Sequence, residues 1–148
     1  MIRARQRRAT IKGRRRKTKK TDETRFGEMV DFLRGFVAEL NQLSSEGWAV
    51  LVEGPRDSMA LLSIGYTGRI LTMRSISRRG EALPQLAGVV ILTDSDREGR
   101  QLTARCAKEL RRRDVPFSLD QRRRLLAASK GVFRHVENLI RFSEAMET

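Results

Sequence analysis

Residues 88–100 read Gly-Val-Val-Ile-Leu-Thr-Asp-Ser-Asp-Arg-Glu-Gly-Arg, an apolar run followed at once by charged side chains. A short, uninterrupted run of β-branched and aliphatic residues is typical of a strand that is covered on both faces of a parallel sheet. Asp94 and Asp96 follow the end of this run, and positions two apart in an extended segment point to the same side. The stretch therefore predicts a buried strand that delivers two carboxylates to one place.

A second apolar run, Trp48-Ala49-Val50-Leu51-Val52, ends in a similar way. Glu53 follows it directly, and Gly54-Pro55 then breaks the strand. In parallel α/β sheets the carboxyl ends of the strands lie at one edge, and the chemistry is usually located there. We therefore expect Glu53 to lie at the same edge as Asp94 and Asp96.

Three carboxylates held close together repel one another unless a cation lies between them. Hard oxygen ligands suit Mg²⁺, and Mn²⁺ is the second possibility. The sequence contains one Cys and one His, which excludes an intrachain disulfide and a Cys-based zinc cage. The acids therefore predict a carboxylate-only site for one or two ions. The alternative is that Asp94 or Asp96 simply caps the helix that follows.

The rest of the chain alternates helices with strands. Apolar side chains at helical spacing predict a first amphipathic helix from the capping residues 21–24 to about residue 44. The further predicted elements are a helix from Arg56 to Gly65, a strand at 69–73, a weak helix at 81–86, a helix ending at 111–113, a strand at 115–119, and helices at 121–128 and 136–146. This order predicts an α/β domain with a mainly parallel sheet of about four strands between helices.

The charge is concentrated at the N-terminus. Residues 1–20 contain eleven of the 31 basic residues and none of the 18 acidic ones. Such a segment is expected to be disordered when free. Its functional interpretation is an arm that binds the phosphates of RNA or DNA, with Arg14, Arg15 and Arg16 at its centre. A solubility tail or a wrongly chosen start codon is the alternative, and residues 21–148 are expected to form one domain.

The two motifs resemble a known family. The stretch Val52-Glu53-Gly54-Pro55-Arg56-Asp57 resembles the first motif of the Toprim fold, and residues 90–100 resemble its second motif. Topoisomerases of types IA and II, bacterial primases, OLD-family nucleases and the ribonuclease that matures 5S ribosomal RNA share this fold. The resemblance covers residues 47–120. The chain is similar to small stand-alone Toprim proteins of archaea and some bacteria, described as small primase-like or 5S-maturase-like.

The resemblance implies roles for the acids. Glu53 would be the acid/base or metal-linked glutamate, Asp94 and Asp96 would bind the metal, and Asp57 could support a second ion. Asp94 with Glu53 would then be catalytic. Glu98 is better explained as an acid at the positive end of a helix.

Several other polar residues have two interpretations. Arg97 and Arg100 flank the acids and could hold a phosphate against the metal, or they could form an exposed helix face. His135 and Glu137 could reach the edge of the site, although a lone His beside a helix start is usually structural. Arginines 111–113 and 122–124 could extend a basic surface or be the charged faces of ordinary helices. Cys106 is expected in the core.

Two features that the sequence lacks argue against some enzyme classes. The sole tyrosine, Tyr66, lies in a turn within the Toprim-like segment, which argues against a topoisomerase, and no GxxxxGK[ST] phosphate loop is present. With the carboxylates and the basic arm, the resemblance implies a Mg²⁺-dependent, cytoplasmic endonuclease that acts on RNA in preference to DNA. No membrane span is expected. The alternative is a non-catalytic nucleic-acid-binding or ribosome-associated accessory protein that retains a Toprim metal site. A protein partner could dock on the apolar face of residues 26–43, although that face is better explained by packing on the sheet.

Overall fold

The computed structural model describes residues 21–77, 83–130 and 132–147. The basic segment 1–20, with Arg14, Arg15 and Arg16, lies outside the described residues, and so do residues 81 and 82 of the predicted weak helix. Across the described ranges, no helix has the combination of length and apolar character that a membrane span requires.

The described part of the chain forms one sheet of four parallel strands. The strands are β1 (Trp48–Val52), β2 (Ile70–Thr72), β3 (Gly88–Ile91) and β4 (Phe117–Ser118). Their order across the sheet is β2-β1-β3-β4, so the two strands that precede the acids are neighbours at its centre. Trp48 pairs with Gly88 and Leu51 with Ile91. The predicted α/β architecture is confirmed, with four strands all in one direction.

Helices connect the strands. They are α1 (Asp22–Ser45), α2 (Pro55–Ser63), α3 (Met73–Ser77), α4 (Arg97–Arg112), α5 (Asp120–Ser129) and α6 (Ser143–Met146), with 3-10 helices at Leu83–Gln85 and Val136–Phe142. Helix α1 begins where Thr21 Oγ1 accepts a hydrogen bond from the backbone N–H of Thr24, and acids occupy its first turn.

The central strands are covered on both faces, as their unbroken apolar runs predict. Val50, Val52, Val90 and Leu92 belong to a cluster with the buried residues of α1 and α2 and with the C-terminal segment. The alternate residues of the same strands pack with Cys106 and Leu110 of α4. The apolar face of α1 therefore packs against its own sheet, the interpretation that the sequence favours.

Three predicted elements differ in detail. The polar stretch after β2 forms the short helix α3, and β4 is shorter than predicted. The last predicted helix is a 3-10 helix followed by one turn of α-helix. Its buried residues Val136, Leu139 and Phe142 recur every third position, which matches the three residues per turn of a 3-10 helix.

Candidate metal centre

The site begins where β1 and β3 end side by side. The backbone N–H of Leu92 donates to the carbonyl of Leu51 at 2.8 Å, so the two strands remain paired up to their last residues. Glu53 leaves β1 next to the loop that follows β3, and its Oε2 accepts a hydrogen bond from the backbone N–H of Asp94 at 2.8 Å. The fold therefore brings acids 41 residues apart in sequence into contact.

Asp57 is held on the same side by the start of α2. Its Oδ2 accepts a hydrogen bond from the backbone N–H of Gly54 at 3.1 Å, and the side chain is buried. Pro55 occupies the first turn of the helix, where a missing N–H leaves no hydrogen bond unmade. A cavity of about 380 Å³, open to solvent, is lined by Glu53, Gly54, Pro55, Arg56, Asp57, Asp94 and Glu137.

Burial and repulsion favour the protonated form of two of these acids. Burial raises the pKa of Glu53 from 4.5 to about 7, and the nearby carboxylates of Asp94 and Asp57 add to the effect. Burial also raises the pKa of Asp57, with a smaller contribution from the charge of Asp94. A bound cation would reverse the effect of the mutual repulsion. A carboxyl group that titrates near neutral pH is also able to accept and release a proton at working pH.

Asp96 caps helix α4. Its Oδ1 accepts a hydrogen bond from the backbone N–H of Gly99 at 2.7 Å. The loop folds back so closely that a Cβ on Gly99 would lie 2.1 Å from the carbonyl oxygen of Asp94, which only glycine permits. The capping interpretation therefore holds for Asp96, but it uses one carboxylate oxygen and leaves Oδ2 available.

The segment before the 3-10 helix Val136–Phe142 completes the site. The backbone N–H of Val136 donates to Asp94 Oδ1 at 2.7 Å. His135 Nδ1 lies 3.2 Å from Asp94 Oδ2 and 3.7 Å from Asp96 Oδ2. Among the described residues, Asp94, Asp96 and His135 each offer one ligand atom, and these atoms all lie within 4.8 Å of one another.

This set differs from the carboxylate-only site that the sequence predicts. Glu53 is not a member of the set, and its Oε2 accepts a hydrogen bond from the backbone N–H of Asp94. An imidazole takes the third position. The hydrogen bond to Asp94 raises the pKa of His135, and the charges of Asp94 and Asp96 act in the same direction. Two carboxylate oxygens and one imidazole nitrogen are a donor set that suits a divalent cation.

Arg122 supports the loop from behind. Its guanidinium donates to the carbonyl oxygens of Thr93 and Asp94, at 3.2 and 2.7 Å, and to Thr93 Oγ1 at 2.9 Å. Partial burial lowers the pKa of Arg122. Arg124 pairs with Glu39 on α1. Of the three predicted basic residues on α5, Arg123 is exposed and the other two are half-buried, and no sequence pattern separates it from them.

The remaining candidate residues lie around the rim. Arg97, Glu98 and Arg100 are in the first turn of α4, where Arg97 and Arg100 flank the acids, and Arg100 donates to the carbonyl oxygen of Ser95 at 3.1 Å. Glu137 lines the cavity, where Arg56 lies 4.0 Å from its carboxylate. Arg97 and Arg100 are thus next to the acids, as the sequence predicts, but nothing in their contacts assigns them a phosphate.

Two residues have structural roles. Tyr66 is 1% exposed and its hydroxyl donates to the carbonyl oxygen of Arg69 at 3.0 Å, so it is not available as a nucleophile. Cys106 is buried on the inner face of α4, and its burial raises the thiol pKa to about 11.

Comparison with known proteins identifies the family. A Toprim domain matches residues 47–119. The UPF0292 protein of Thermococcus onnurineus is 32% identical over 117 residues, which cover 78% of this chain and 80% of that protein. The UPF0292 protein of Pyrococcus abyssi is 31% identical over 106 residues, covering 70% of this chain and 80% of that protein. The chain belongs to the UPF0292 family of Toprim-domain proteins. A third member, from Archaeoglobus fulgidus, is 28% identical over 108 residues, covering 73% of this chain and 86% of that protein.

Family membership confirms the resemblance to small archaeal Toprim proteins. A solved structure of a protein from Aquifex aeolicus matches with a TM-score of 0.57 and 21% identity, covering 71% of this chain and 95% of that one. At that identity the likeness supports the fold alone. The Toprim domain, together with the cluster of Asp94, Asp96 and His135, indicates a metal-dependent function related to nucleic acid.

Proposed function

We propose that this protein is a small endonuclease that hydrolyses phosphodiester bonds in RNA and depends on Mg²⁺ or Mn²⁺. The observation that carries the proposal is the contact between Glu53 and the loop of Asp94, where acids from two strands converge beside an open cavity. RNA is favoured over DNA on the resemblance to a Toprim ribonuclease. Such an activity belongs in the cytoplasm, where its substrates would be.

The residues divide into two roles in this proposal. Asp94 and Asp96 would hold the metal ion, and Asp57 could support a second one. A divalent ion bound there would polarise the scissile phosphate and favour the attacking water. Burial raises the pKa of Glu53, which makes its carboxylate a stronger base than an exposed one. Glu53 accepts the proton from that water as the water oxygen bonds to phosphorus and the bond to the leaving oxygen breaks.

Basic residues would position the substrate. Arg97 and Arg100 lie in the exposed first turn of α4, next to the acids, where they can contact a phosphate. The eleven basic residues of segment 1–20 would add sequence-independent affinity through phosphate contacts. This division predicts that loss of the segment weakens binding, whereas loss of Glu53 stops cleavage.

The test uses the full chain, one labelled structured RNA and a DNA of the same sequence, each with Mg²⁺, with Mn²⁺ and with EDTA. We expect metal-dependent cleavage of the RNA and a fall of about 10²–10⁴-fold in rate for Glu53→Gln, the range for a general base. Glu147→Gln, exposed beyond the end of α6, is the matched control and should cleave normally. Intact RNA under all metal conditions, or equal rates for Glu53→Gln and the wild type, would overturn the proposal.

A second candidate function is supported by the hydrogen bonds that Asp94 and Asp96 make within the protein. Asp94 Oδ1 accepts from the N–H of Val136, and Asp96 Oδ1 caps α4, so both acids have structural partners without any metal. These contacts favour an accessory protein that binds nucleic acid and keeps the acids for its fold. The same labelled RNA separates the two candidates: tight binding without cleavage in either metal favours the accessory role.

A further inference from the structure

His135 is the one histidine of the sequence, and the fold brings it to the acids that follow β3. Its position is fixed by the backbone on either side. The N–H and the hydroxyl of Ser95 both donate to the carbonyl oxygen of Arg134, at 3.3 and 3.2 Å, and the N–H of Val136 donates to Asp94. Val136 is itself buried in the core. The imidazole is therefore attached to a docked segment.

The hydrogen bonds of the two aspartates determine which atoms face the imidazole. Asp94 and Asp96 each use Oδ1 for a backbone N–H and leave Oδ2 on the side of His135. His135 Nδ1 lies within 3.7 Å of both Oδ2 atoms. The side chain of Asp94 is 13% exposed and that of His135 is 45% exposed, so an ion from solvent can reach this side.

We propose that His135 is a metal ligand together with Asp94 and Asp96, and that it makes the site select a transition-metal ion such as Mn²⁺ over Mg²⁺. Mg²⁺ binds almost only oxygen ligands and demands near-ideal octahedral geometry. Imidazole nitrogen is a good ligand for first-row transition metals. The inference rests on the metal-binding part of the proposed function and names the class of ion.

A site made only of oxygen ligands can also bind Mn²⁺ more tightly than Mg²⁺. The contribution of His135 is therefore measured as the change in metal selectivity between the wild type and a variant without the imidazole. Calorimetric titration of the full chain, prepared without a polyhistidine tag, gives the ratio of the Mg²⁺ and Mn²⁺ dissociation constants. We expect that ratio to fall by about tenfold or more in His135→Ala, mainly through weaker Mn²⁺ binding, since even outer partners of metal ligands matter by that much. The matched control Arg134→Ala changes an exposed neighbour whose backbone carbonyl accepts the hydrogen bonds from Ser95, and it should keep the wild-type ratio.

Direct coordination has a spectroscopic signature. Pulsed electron paramagnetic resonance of the Mn²⁺-loaded protein should show coupling to a ¹⁴N nucleus, which changes when the protein is labelled with ¹⁵N-histidine. Because the chain contains a single histidine, the signal reports His135 alone. Bound Mn²⁺ without this coupling, or no Mn²⁺ binding, overturns the inference.

The spectroscopic result for His135 and the result of the RNA cleavage assay can be interpreted independently. A protein that binds Mn²⁺ without nitrogen coupling and still cuts RNA contradicts the role of His135 and leaves the proposed nuclease intact. A protein that shows the coupling but never cuts RNA supports His135 as a ligand and contradicts the nuclease.

Discussion

The carboxyl group of Glu53 should destabilise the metal-free protein at neutral pH. It lies against Asp94 and Asp57, and its pKa is raised from 4.5 to about 7 mainly because it is partly buried. The unfolded chain loses this proton from about pH 4.5, whereas the folded chain keeps it until about pH 7. Stability is therefore lost as the pH rises between these values and stays low above them. Glu53→Gln removes the charge and keeps an oxygen that can accept from the N–H of Asp94.

The magnitude follows from the two pKa values. Each pKa unit corresponds to about 1.4 kcal/mol, so the step from 4.5 to about 7 sets an upper limit of about 3 kcal/mol. The side chain is partly exposed, and solvent screening reduces the effect to about 1–2 kcal/mol. With a urea dependence of about 1–3 kcal/mol/M, the unfolding midpoint of Glu53→Gln should rise by about 1 M at pH 8. At pH 5 the stabilisation should be about half of that value.

The assay is urea unfolding in EDTA at pH 5 and pH 8 for the wild type, Glu53→Gln and the exposed control Glu147→Gln. Any effect of pH on His135 is shared by all three proteins and cancels in the differences. Adding Mn²⁺ at pH 8 should stabilise the wild type more than Glu53→Gln, because the cation favours the ionised carboxylate. If Glu53→Gln is no more stable than the wild type at pH 8, or if its advantage is equal at the two pH values, the electrostatic account of this residue is wrong.

Three further predictions concern the surroundings of the acids. Arg122→Ala should destabilise the protein by about 2–3 kcal/mol in urea unfolding, since it removes charged hydrogen bonds to the loop after β3, whereas Arg123→Ala should change little. Equal effects of the two variants would contradict the bracing role. Gly99→Ala should weaken Mn²⁺ binding by about tenfold or more in calorimetry, because its Cβ meets rigid backbone and displaces the loop, whereas Gly35→Ala has open space and should bind normally. Unchanged affinity in Gly99→Ala would show that the loop is not a fixed support. Removal of residues 1–20 should lower RNA affinity and reduce its salt dependence. The slope of log binding constant against log salt concentration should become shallower by about 0.7–0.9 for each phosphate that the segment neutralises. An unchanged slope in filter binding would exclude the segment as a phosphate-binding arm.

The sheet and its acids can be predicted from the sequence because the signals are local. Both central strands are continuous apolar runs, and in each case the acids follow within a few residues of the strand end. Parallel pairing then places Glu53 beside Asp94 without any further information. The packing role of Tyr66 is equally predictable, since a turn next to an apolar helix is a packing position.

The rest of the site depends on tertiary contacts. The sequence allows His135 and Glu137 to reach the edge of the site, but it does not determine which atoms meet there. His135 reaches Asp94 because a backbone N–H of the next residue docks on that carboxylate, and backbone groups are the same in almost every residue. Arg122 differs from Arg123 only in the direction in which it leaves α5. In each aspartate one carboxylate oxygen accepts from a backbone N–H and the other faces His135. The sequence alone does not predict this difference between the two oxygens.

The most direct measurement of the central claim is X-ray diffraction from crystals grown with Mn²⁺, with data collected at the manganese absorption edge. The account predicts an anomalous peak within bonding distance of Asp94 Oδ2 and Asp96 Oδ2, on the side of His135, with Glu53 turned towards the adjacent cavity. A peak bound to other residues, or fully loaded crystals with none between these two aspartates, would contradict it.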